Sequence, residues 1–221
     1  MKTWIRDHSL TFALLALFLF SLAGQIVTGL HHETQERLLH GLTRVSLGGY
    51  LAGGAFLSAL FENWESEFLQ MGVYVVLTAY LFQRGSPESR DPEKASSPPR
   101  GRKPSARQLA QAPWPVRHGG WVREIYAHSL GAALFLLFVA SFVLHWLNSF
   151  RKAAEEAIEH HQPAPHLFGY LGDAQFWFES FQNWQSEFLS TAVLILLSIY
   201  LRERGSPESK PEAAPHARTG A

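Results

Sequence analysis

Four apolar stretches alternate with polar and charged ones along the chain. Residues 10–30 and 130–150 are each long enough to cross the hydrocarbon core of a bilayer, which takes about 20 helical residues. Residues 68–82 and 188–201 are shorter, so a span there needs residues from the polar stretch that precedes each of them. The pattern predicts an all-α integral membrane protein with four transmembrane helices.

The two halves of the chain repeat each other at an offset of 120 residues. The phrase FENWESEFL at residues 61–69 returns as FQNWQSEFL at 181–189, and RGSPES at 84–89 returns at 204–209. Seventeen of the thirty positions in residues 61–90 are identical in the second copy. Since each copy holds two predicted spans, both copies share one orientation. The repeat therefore predicts two tandem helical hairpins in a parallel internal repeat, with a pseudo-twofold axis along the membrane normal.

The repeat also sets the predicted division of the chain. A Pro-rich, basic linker separates the two copies, and a polar tail follows the second. Linker and tail are predicted to be disordered because they carry too few apolar residues to bury. The predicted parts are a first two-helix membrane repeat at 1–90, a disordered basic cytoplasmic linker at 91–120, a second two-helix membrane repeat at 121–210 and a disordered C-terminal tail at 211–221.

Charge predicts the orientation of the spans. Residues 84–123 hold nine Lys or Arg and three acidic residues, whereas the loops after the first and third spans are rich in acid. The positive-inside rule therefore places the linker and both termini in the cytoplasm. The basic linker suits contact with anionic lipid, worth about 1 kcal/mol per basic residue near the surface; the alternative is a solvated tether. The RGSPES phrase suits the end of a helix, with Gly85 as its C-cap.

The FENWESEFL phrase predicts a membrane boundary. About 20 helical residues counted back from Arg84 reach Trp64, so the second span begins inside this phrase. Trp64 and Trp184 then suit the aromatic belt at the outer surface, and Asp173 suits the cap of the helix that carries the second phrase. Six polar positions of the four spans fall in one layer just inside the boundary: Gln25, Asn63, Glu67, His145, Asn183 and Glu187.

This polar layer supports two functional predictions. Polar groups in hydrocarbon face the bundle interior or a wet cavity, so the layer suits transport of a small solute, an ion or a proton. Glu67 and Glu187 would then form a symmetric acid pair, with His145 as the titratable group that meets them. The alternative is an accessory or structural membrane protein, in which the layer holds helices together at about 0.6 kcal/mol per side chain. Glu62 and Glu65 receive no role because the second copy has glutamine in their place.

Histidines in the loops after the first and third spans predict a third function, metal binding at the outer surface. Imidazole together with carboxylate suits zinc, copper or nickel. The histidines do not keep the repeat offset and form no closed four-ligand pattern, so a solvated helical loop is the alternative. The candidate ligands are His32, Glu36, His40, His160 and His161.

Composition excludes several other classes of function. The chain has no cysteine, which excludes disulfides, thiolate metal sites and cysteine nucleophiles. Its 19 basic and 19 acidic residues balance, so it lacks the basic signature of a nucleic-acid binder. It contains no catalytic or nucleotide-binding motif, so neither an enzyme nor a cofactor is predicted. The predicted partners are the lipid bilayer and either a second copy or another membrane protein.

With its FENWESEFLQ and RGSPES phrases, and above all the pattern NWxSEF, the chain resembles a bacterial family of small integral membrane proteins catalogued as a domain of unknown function. The resemblance covers most of both halves. It implies a multi-pass protein of the bacterial inner or plasma membrane. It implies no activity, so no functional residue is taken from it.

Overall fold

A computed structural model describes residues 2–91 and 105–220 of the chain. Over these residues the fold is all-helical and contains no strand, which confirms the all-α part of the prediction. The helices are α1 Lys2–Asp7, α2 Ser9–Leu39, α3 Leu47–Leu51, α4 Gly54–Tyr80, α5 Ala106–Gln111, α6 Trp114–His118, α7 Gly120–Ala127, α8 Ser129–Glu159 and α9 Ala174–Tyr200, with a 3-10 turn at Gly169–Gly172.

The four long helices follow the sequence repeat. Helices α2 and α8 have 31 residues each, α4 and α9 have 27 each, and in both pairs the bounds of the second helix match those of the first in the repeat. Helix α2, and α8 over Ser129–Ile158, are long and apolar enough to cross a membrane. Asp173 caps α9 as predicted, since its side chain accepts from the Gln175 N–H at 2.8 Å.

Helix α4 begins before the predicted membrane boundary. The count from Arg84 places the start of the second span, rather than of the helix, inside the FENWESEFL phrase, and α4 begins at Gly54 and runs through the whole phrase. The reason is that the residues before the phrase, GAFLSAL, are mostly good helix formers and contain no proline, so the helix continues without a break. A helix can extend beyond the part of it that a membrane would cover.

The chain divides into two compact units. Unit 1 contains Met1–Leu60 and Leu144–Leu171, and unit 2 contains Phe61–Val143 and Gly172–Ala221. Helices α4 and α8 therefore contribute residues to both units. Unit 1 holds the two GYL phrases of the repeat, and unit 2 holds both aromatic phrases and both RGSPES phrases.

In unit 1, the tyrosine of each GYL phrase docks on the same position of the preceding long helix. Tyr50 is buried against α2, where a Cβ added to Gly29 would lie 1.9 Å from the Tyr50 hydroxyl oxygen. In the second copy the hydroxyl groups of Tyr170 and Ser149 share a hydrogen bond of 2.9 Å. Glycine therefore makes room for one tyrosine, whereas serine at the equivalent position bonds the other.

In unit 2, the two RGSPES phrases fold into the same turn. In the first, the Gln83 N–H donates to Ser89 Oγ at 2.8 Å and the Glu88 N–H donates to Ser86 Oγ at 3.2 Å. The equivalent bonds of the second turn measure 2.9 and 3.2 Å. Gly85 has a φ of +89° and lies beyond the end of α4. The prediction of Gly85 as a helix C-cap is therefore wrong; glycine is needed because the turn itself requires the left-handed conformation.

The C-terminal tail, predicted to be disordered, is bonded to these turns. The Lys210 ammonium is buried and donates to the carbonyl of Gly85 and to those of His216 at 2.9 Å and Arg218 at 3.2 Å. The Gly220 N–H donates to the Ser86 carbonyl at 3.0 Å. Polar contacts rather than apolar burial hold the tail, which composition alone does not reveal. Burial, and then the charges of Arg202 and Arg218, lower the pKa of Lys210.

The predicted disordered linker contains helices in its second half. Residues 92–104 lie outside the described part of the chain, so disorder and lipid contact there stay predictions. From Ser105 onward the linker forms α5 and α6. Ser105 Oγ accepts from the Gln108 N–H at 3.3 Å, and the Gln108 side chain accepts from the Ser105 N–H at 3.0 Å. This capping box explains why a polar segment begins a helix here.

Candidate functional site

Gln70 of α4 joins α4 to α9 in unit 2. Its amide nitrogen donates to Thr191 Oγ1 at 2.6 Å and to the Glu187 carbonyl at 3.0 Å. The Thr191 hydroxyl in turn donates to the same carbonyl at 3.0 Å. Amide, hydroxyl and carbonyl thus form one closed set of hydrogen bonds. Polar groups of this kind hold neighbouring helices together in an apolar surrounding.

Two glutamates of the FENWESEFL phrase also bond α9. Glu65 is fully buried and its carboxylate accepts from the Trp184 indole N–H at 2.9 Å. The Glu62 carboxylate accepts from the Asn183 amide. Sequence reasoning assigned these acids no role because the second copy has glutamine in their place. Each of these hydrogen bonds joins two positions that are not equivalent in the repeat. A comparison of equivalent positions could therefore not find them.

The six predicted layer residues are divided between the units. Unit 2 holds Asn63, Glu67, Asn183 and Glu187. Among them, the charge of Glu67 acts on Glu187, although the Glu67 side chain is exposed and Glu187 is only half-buried. In unit 1, His145 is fully buried, whereas Gln25, its equivalent in the first copy, is half-buried. The layer as a functional site stays a prediction.

The two predicted boundary tryptophans have different surroundings. Trp64 is half-buried and meets the Phe61 ring edge-to-face at 5.5 Å between centroids. Trp184 packs on Phe138 at 6.2 Å, and its indole N–H is bonded to Glu65. The polar edge of Trp184 therefore serves a neighbouring helix. The role of both residues at a membrane boundary stays a prediction.

A pocket of ≈ 310 Å³ lies in unit 2, between the second half of α4, the middle of α9 and the first RGSPES turn. Its walls are mainly apolar and include Val73, Leu77, Leu81, Phe188, Ala192 and Ile195. Eight residues with polar side chains also line it: Gln70, Tyr74, Thr78, Gln83, Ser86, Glu88, Ser89 and Thr191. An apolar concavity of this size with a few polar groups has the character of a small-molecule site.

Two oxygen atoms of the pocket are buried without a hydrogen-bond partner among the described residues. They are the Tyr74 hydroxyl and Glu88 Oε1. By contrast, the Thr78 hydroxyl donates to the Tyr74 carbonyl at 2.8 Å. Buried polar atoms nearly always have a partner, and leaving one unsatisfied costs about 1–3 kcal/mol. Both residues line the pocket, but the two oxygen atoms themselves have almost no accessible surface, so they lie behind its wall.

Glu88 of the first turn is hydrogen-bonded to Glu208 of the second. Burial, followed by the hydrogen bond and the negative charge of Glu208, raises the pKa of Glu88 from 4.5 to about 7. A hydrogen bond between two carboxyl groups requires a proton on one of them, and the raised pKa of Glu88 favours this carboxyl as its carrier. Sequence reasoning treated this phrase as a helix end and missed the pair. The available signal was the identical placement of both glutamates in the repeat.

The predicted metal ligands are only partly brought together. The His32 ring nitrogen lies 3.4 Å from a Glu36 carboxylate oxygen, one turn along α2. The rings of His40 and His160 meet edge-to-face at 6.0 Å between centroids. Over the described residues, however, these side chains and His161 form no group of three whose ligand atoms all lie within 4.8 Å of one another. Metal binding there stays a prediction.

Comparison with known proteins gives one match. A family model described as a domain of unknown function (DUF6766) matches residues 1–221. No curated protein and no solved structure matches the chain. The pocket and the carboxyl pair therefore have to be interpreted from their own chemistry.

Proposed function

The chain belongs to the DUF6766 family, and on that premise we propose that it is a four-span membrane protein whose unit 2 pocket binds a small solute and carries it, or a proton, across the membrane. The spans are α2, α4, α8 and α9, arranged as two tandem hairpins with a pseudo-twofold axis along the membrane normal. The linker and both termini lie on the cytoplasmic side of a bacterial inner membrane.

The distribution of apolar and polar surface supports a membrane protein. Phe20 of α2 is 78% exposed and Leu136 of α8 is 67% exposed, whereas Glu65 of α4 is 0% exposed. Such an arrangement is costly in water but is the expected one in hydrocarbon, where polar groups turn inward. Helices α4 and α9, with 27 residues each, are about 40 Å long, which exceeds the roughly 30 Å core. Their acidic first halves can then lie at or beyond its edge.

The mainly apolar pocket with polar side chains along its wall is the observation that carries the transport proposal. Gln70, Tyr74 and Thr78 follow each other at four-residue intervals, so they share one face of α4 over about 12 Å. The pocket follows this face and continues to Glu88 in the turn. It thus offers polar contacts along its length, and the hydrogen bonds of Gln70 to α9 close one end.

A structural or accessory role is the second candidate. The hydrogen bonds of Gln70, Asn183 and Trp184 support a structural role, because each of them joins α4 to α9 at a different height along the helices. In this alternative the pocket is a dry packing defect and nothing moves through it. The two functions differ in whether water reaches the pocket.

Cysteine accessibility tests this difference, and the chain has no cysteine of its own. Thr78→Cys lines the pocket, whereas the control Ala79→Cys lies beside it on the exposed side of α4. In membrane vesicles treated with a small, charged thiol reagent, Thr78→Cys should react at least about tenfold faster, because only a water-accessible thiol ionises. Equal, slow reaction of both variants would overturn the transport proposal in favour of the structural one.

Reporter fusions test the proposed orientation. A reporter after Lys103, outside the described residues, should stay in the cytoplasm, and reporters after Thr34 of α2 or Ala157 of α8 should be exported. Each measurement uses an enzyme that is active on one side of the membrane only. Export of the Lys103 fusion would reverse the orientation.

A further inference from the structure

We infer that α7 is a lipid-binding surface, which lies along the membrane with its apolar face among the headgroups of an anionic leaflet. The partner is the lipid surface itself. The inference goes beyond solute transport, but it rests on the proposed placement of α8 in the membrane. It also differs from the lipid contact predicted for the linker, because that contact depends on charge alone, whereas this surface requires the apolar face of a helix in the second repeat.

Helix α7 separates apolar from polar side chains. Its apolar face consists of four residues at helical spacing: Trp121, Val122, Ile125 and Tyr126. Arg123 and Glu124 lie on the other face. Trp121 is 74% exposed and Ile125 is 62% exposed, so the described residues of the chain leave most of the apolar face uncovered. A contiguous apolar face left open in this way marks an interaction site.

The position of α7 directly before an apolar span favours lipid as the partner. Helix α7 ends at Ala127 and α8 begins at Ser129, so only His128 separates them. The Ser129 hydroxyl donates to the Tyr126 carbonyl at 2.8 Å, which joins the start of α8 to the last turn of α7. Helix α8 is long and apolar enough to cross a membrane. A span that starts at this point places α7 at the edge of the hydrocarbon core.

The first copy of the repeat has the same arrangement. The short helix α1 ends at Asp7, and α2 begins at Ser9 after the equivalent residue, His8. The backbone angles at the break are similar, with φ −119° and ψ 18° at His8 and φ −112° and ψ 7° at His128. In both copies the N–H four residues later donates to the histidine carbonyl, at 3.1 and 3.0 Å. This is the bend that a chain needs where a helix on the membrane surface continues into a span.

Charge and aromatic residues favour an anionic lipid surface over an apolar protein partner. Residues 105–128 carry three arginines and one glutamate. Arg117 of α6 and Arg123 of α7 are exposed, and each basic side chain near an anionic membrane strengthens binding about fivefold. Trp121 and Tyr126 are of the residue types that are enriched at the level of the headgroups. An apolar face combined with arginine and aromatic residues is typical of a helix that lies in the membrane interface.

Fluorescence quenching of a bimane label on single cysteines tests the surface, because the chain has no cysteine of its own. The full-length variants are labelled and reconstituted into liposomes of phosphatidylcholine and phosphatidylglycerol. Brominated lipid quenches a label that lies in the membrane, and acrylamide quenches a label that lies in water. Brominated lipid should quench Ile125→Cys at least about threefold more than Glu124→Cys, its matched neighbour on the polar face, and acrylamide should show the reverse order.

The preference between headgroups tests the role of the arginines. When bromine is carried by phosphatidylglycerol instead of phosphatidylcholine at the same mole fraction, quenching of the label at residue 125 should rise at least about twofold. Arg117→Gln/Arg123→Gln should abolish this difference but keep the quenching by phosphatidylcholine. The control Arg37→Gln/Arg44→Gln removes the same charge from the end of α2 and the loop after it, and it should keep the preference.

A label on α8 separates failure of the inference from failure of the proposed function. Leu136 is exposed on α8, so a label on Leu136→Cys should be quenched by both brominated lipids and not by acrylamide. With that label in lipid, three results overturn the inference. The first is equal quenching of residues 124 and 125 by acrylamide, which places α7 in water. The second is protection of residue 125 from both quenchers, which assigns the apolar face to a second copy or another protein. The third is equal quenching by the two brominated lipids, which removes the preference for an anionic headgroup. Quenching of the Leu136→Cys label by acrylamide contradicts the placement of α8 in the membrane, and with it the proposed function.

Discussion

Replacing Lys210 with methionine tests whether the C-terminal tail is locked to the first turn. Methionine keeps most of the length of the side chain and removes the donor. The variant deprives four carbonyls, those of Gly85, Pro215, His216 and Arg218, of a buried charged partner. It leaves the other tail contacts in place, such as the bond from the Gly220 N–H to the Ser86 carbonyl.

The size of the effect follows from these bonds. A hydrogen bond from a charged group contributes about 1.5–3 kcal/mol. Burial and the neighbouring charges of Arg202 and Arg218 oppose the ammonium of Lys210, as its lowered pKa reflects. We therefore expect the bonds of the Lys210 ammonium together to stabilise the closed tail by only about 2–3 kcal/mol. Opening of the tail should become about 30- to 140-fold more frequent in the variant.

Hydrogen exchange measures this opening directly. The amide protons to follow are those of Gly85, which donates to Thr219 Oγ1 at 2.9 Å, and of Gly220. In Lys210→Met both should exchange faster by the factor given above, because local opening exposes them to water. The control is Lys152→Met: the Lys152 side chain is 42% exposed and its amine lies 3.9 Å from a Glu156 carboxylate oxygen. Exchange within a factor of about two of the wild type would refute the reasoning.

Three further variants extend the test to other contacts. Stability should fall as the pH rises from 4.5 to about 7, because the raised pKa of Glu88 makes the folded state hold a proton that the unfolded chain releases. Glu88→Gln should flatten this slope in thermal melting across pH 4 to 8. An unchanged slope would contradict the raised pKa of Glu88. Gly29→Ala should lower the free energy of unfolding by about 1–3 kcal/mol in an unfolding titration, because the added Cβ meets Tyr50. The control Gly24→Ala has open space around it and should not lower stability. Equal effects of the two variants would refute the steric account. Tyr170→Phe should cost about 1 kcal/mol in the same titration through the loss of its bond to α8; wild-type stability would show that bond to be dispensable.

The long helices could be predicted from the sequence because the patterns that indicate them are local. Apolar runs, the repeat offset and the Asp173 cap depend on residues close together in the chain. The roles of Glu62 and Glu65 were missed because their partners, Asn183 and Trp184, lie 121 and 119 residues away.

The pocket could not be predicted from local patterns at all. Its walls come from two helices and a turn that are far apart in sequence. Taken alone, the RGSPES phrase is typical of the end of a helix. Glu88 and Glu208 become a pair only because the two turns are in contact, which the phrase itself does not reveal. The exact repetition of a charged residue in a turn was the one sequence signal of this contact.

The bond between Gly85 and Thr219 has a consequence for the order of events during protein synthesis. The two residues are 134 positions apart, so at about 5–20 residues per second the first turn waits roughly 7–27 s for its partner. The first hairpin is complete in that interval, whereas its carboxyl group still lacks Glu208. A segment made 134 residues after the first turn thus completes the hydrogen bonds of that turn.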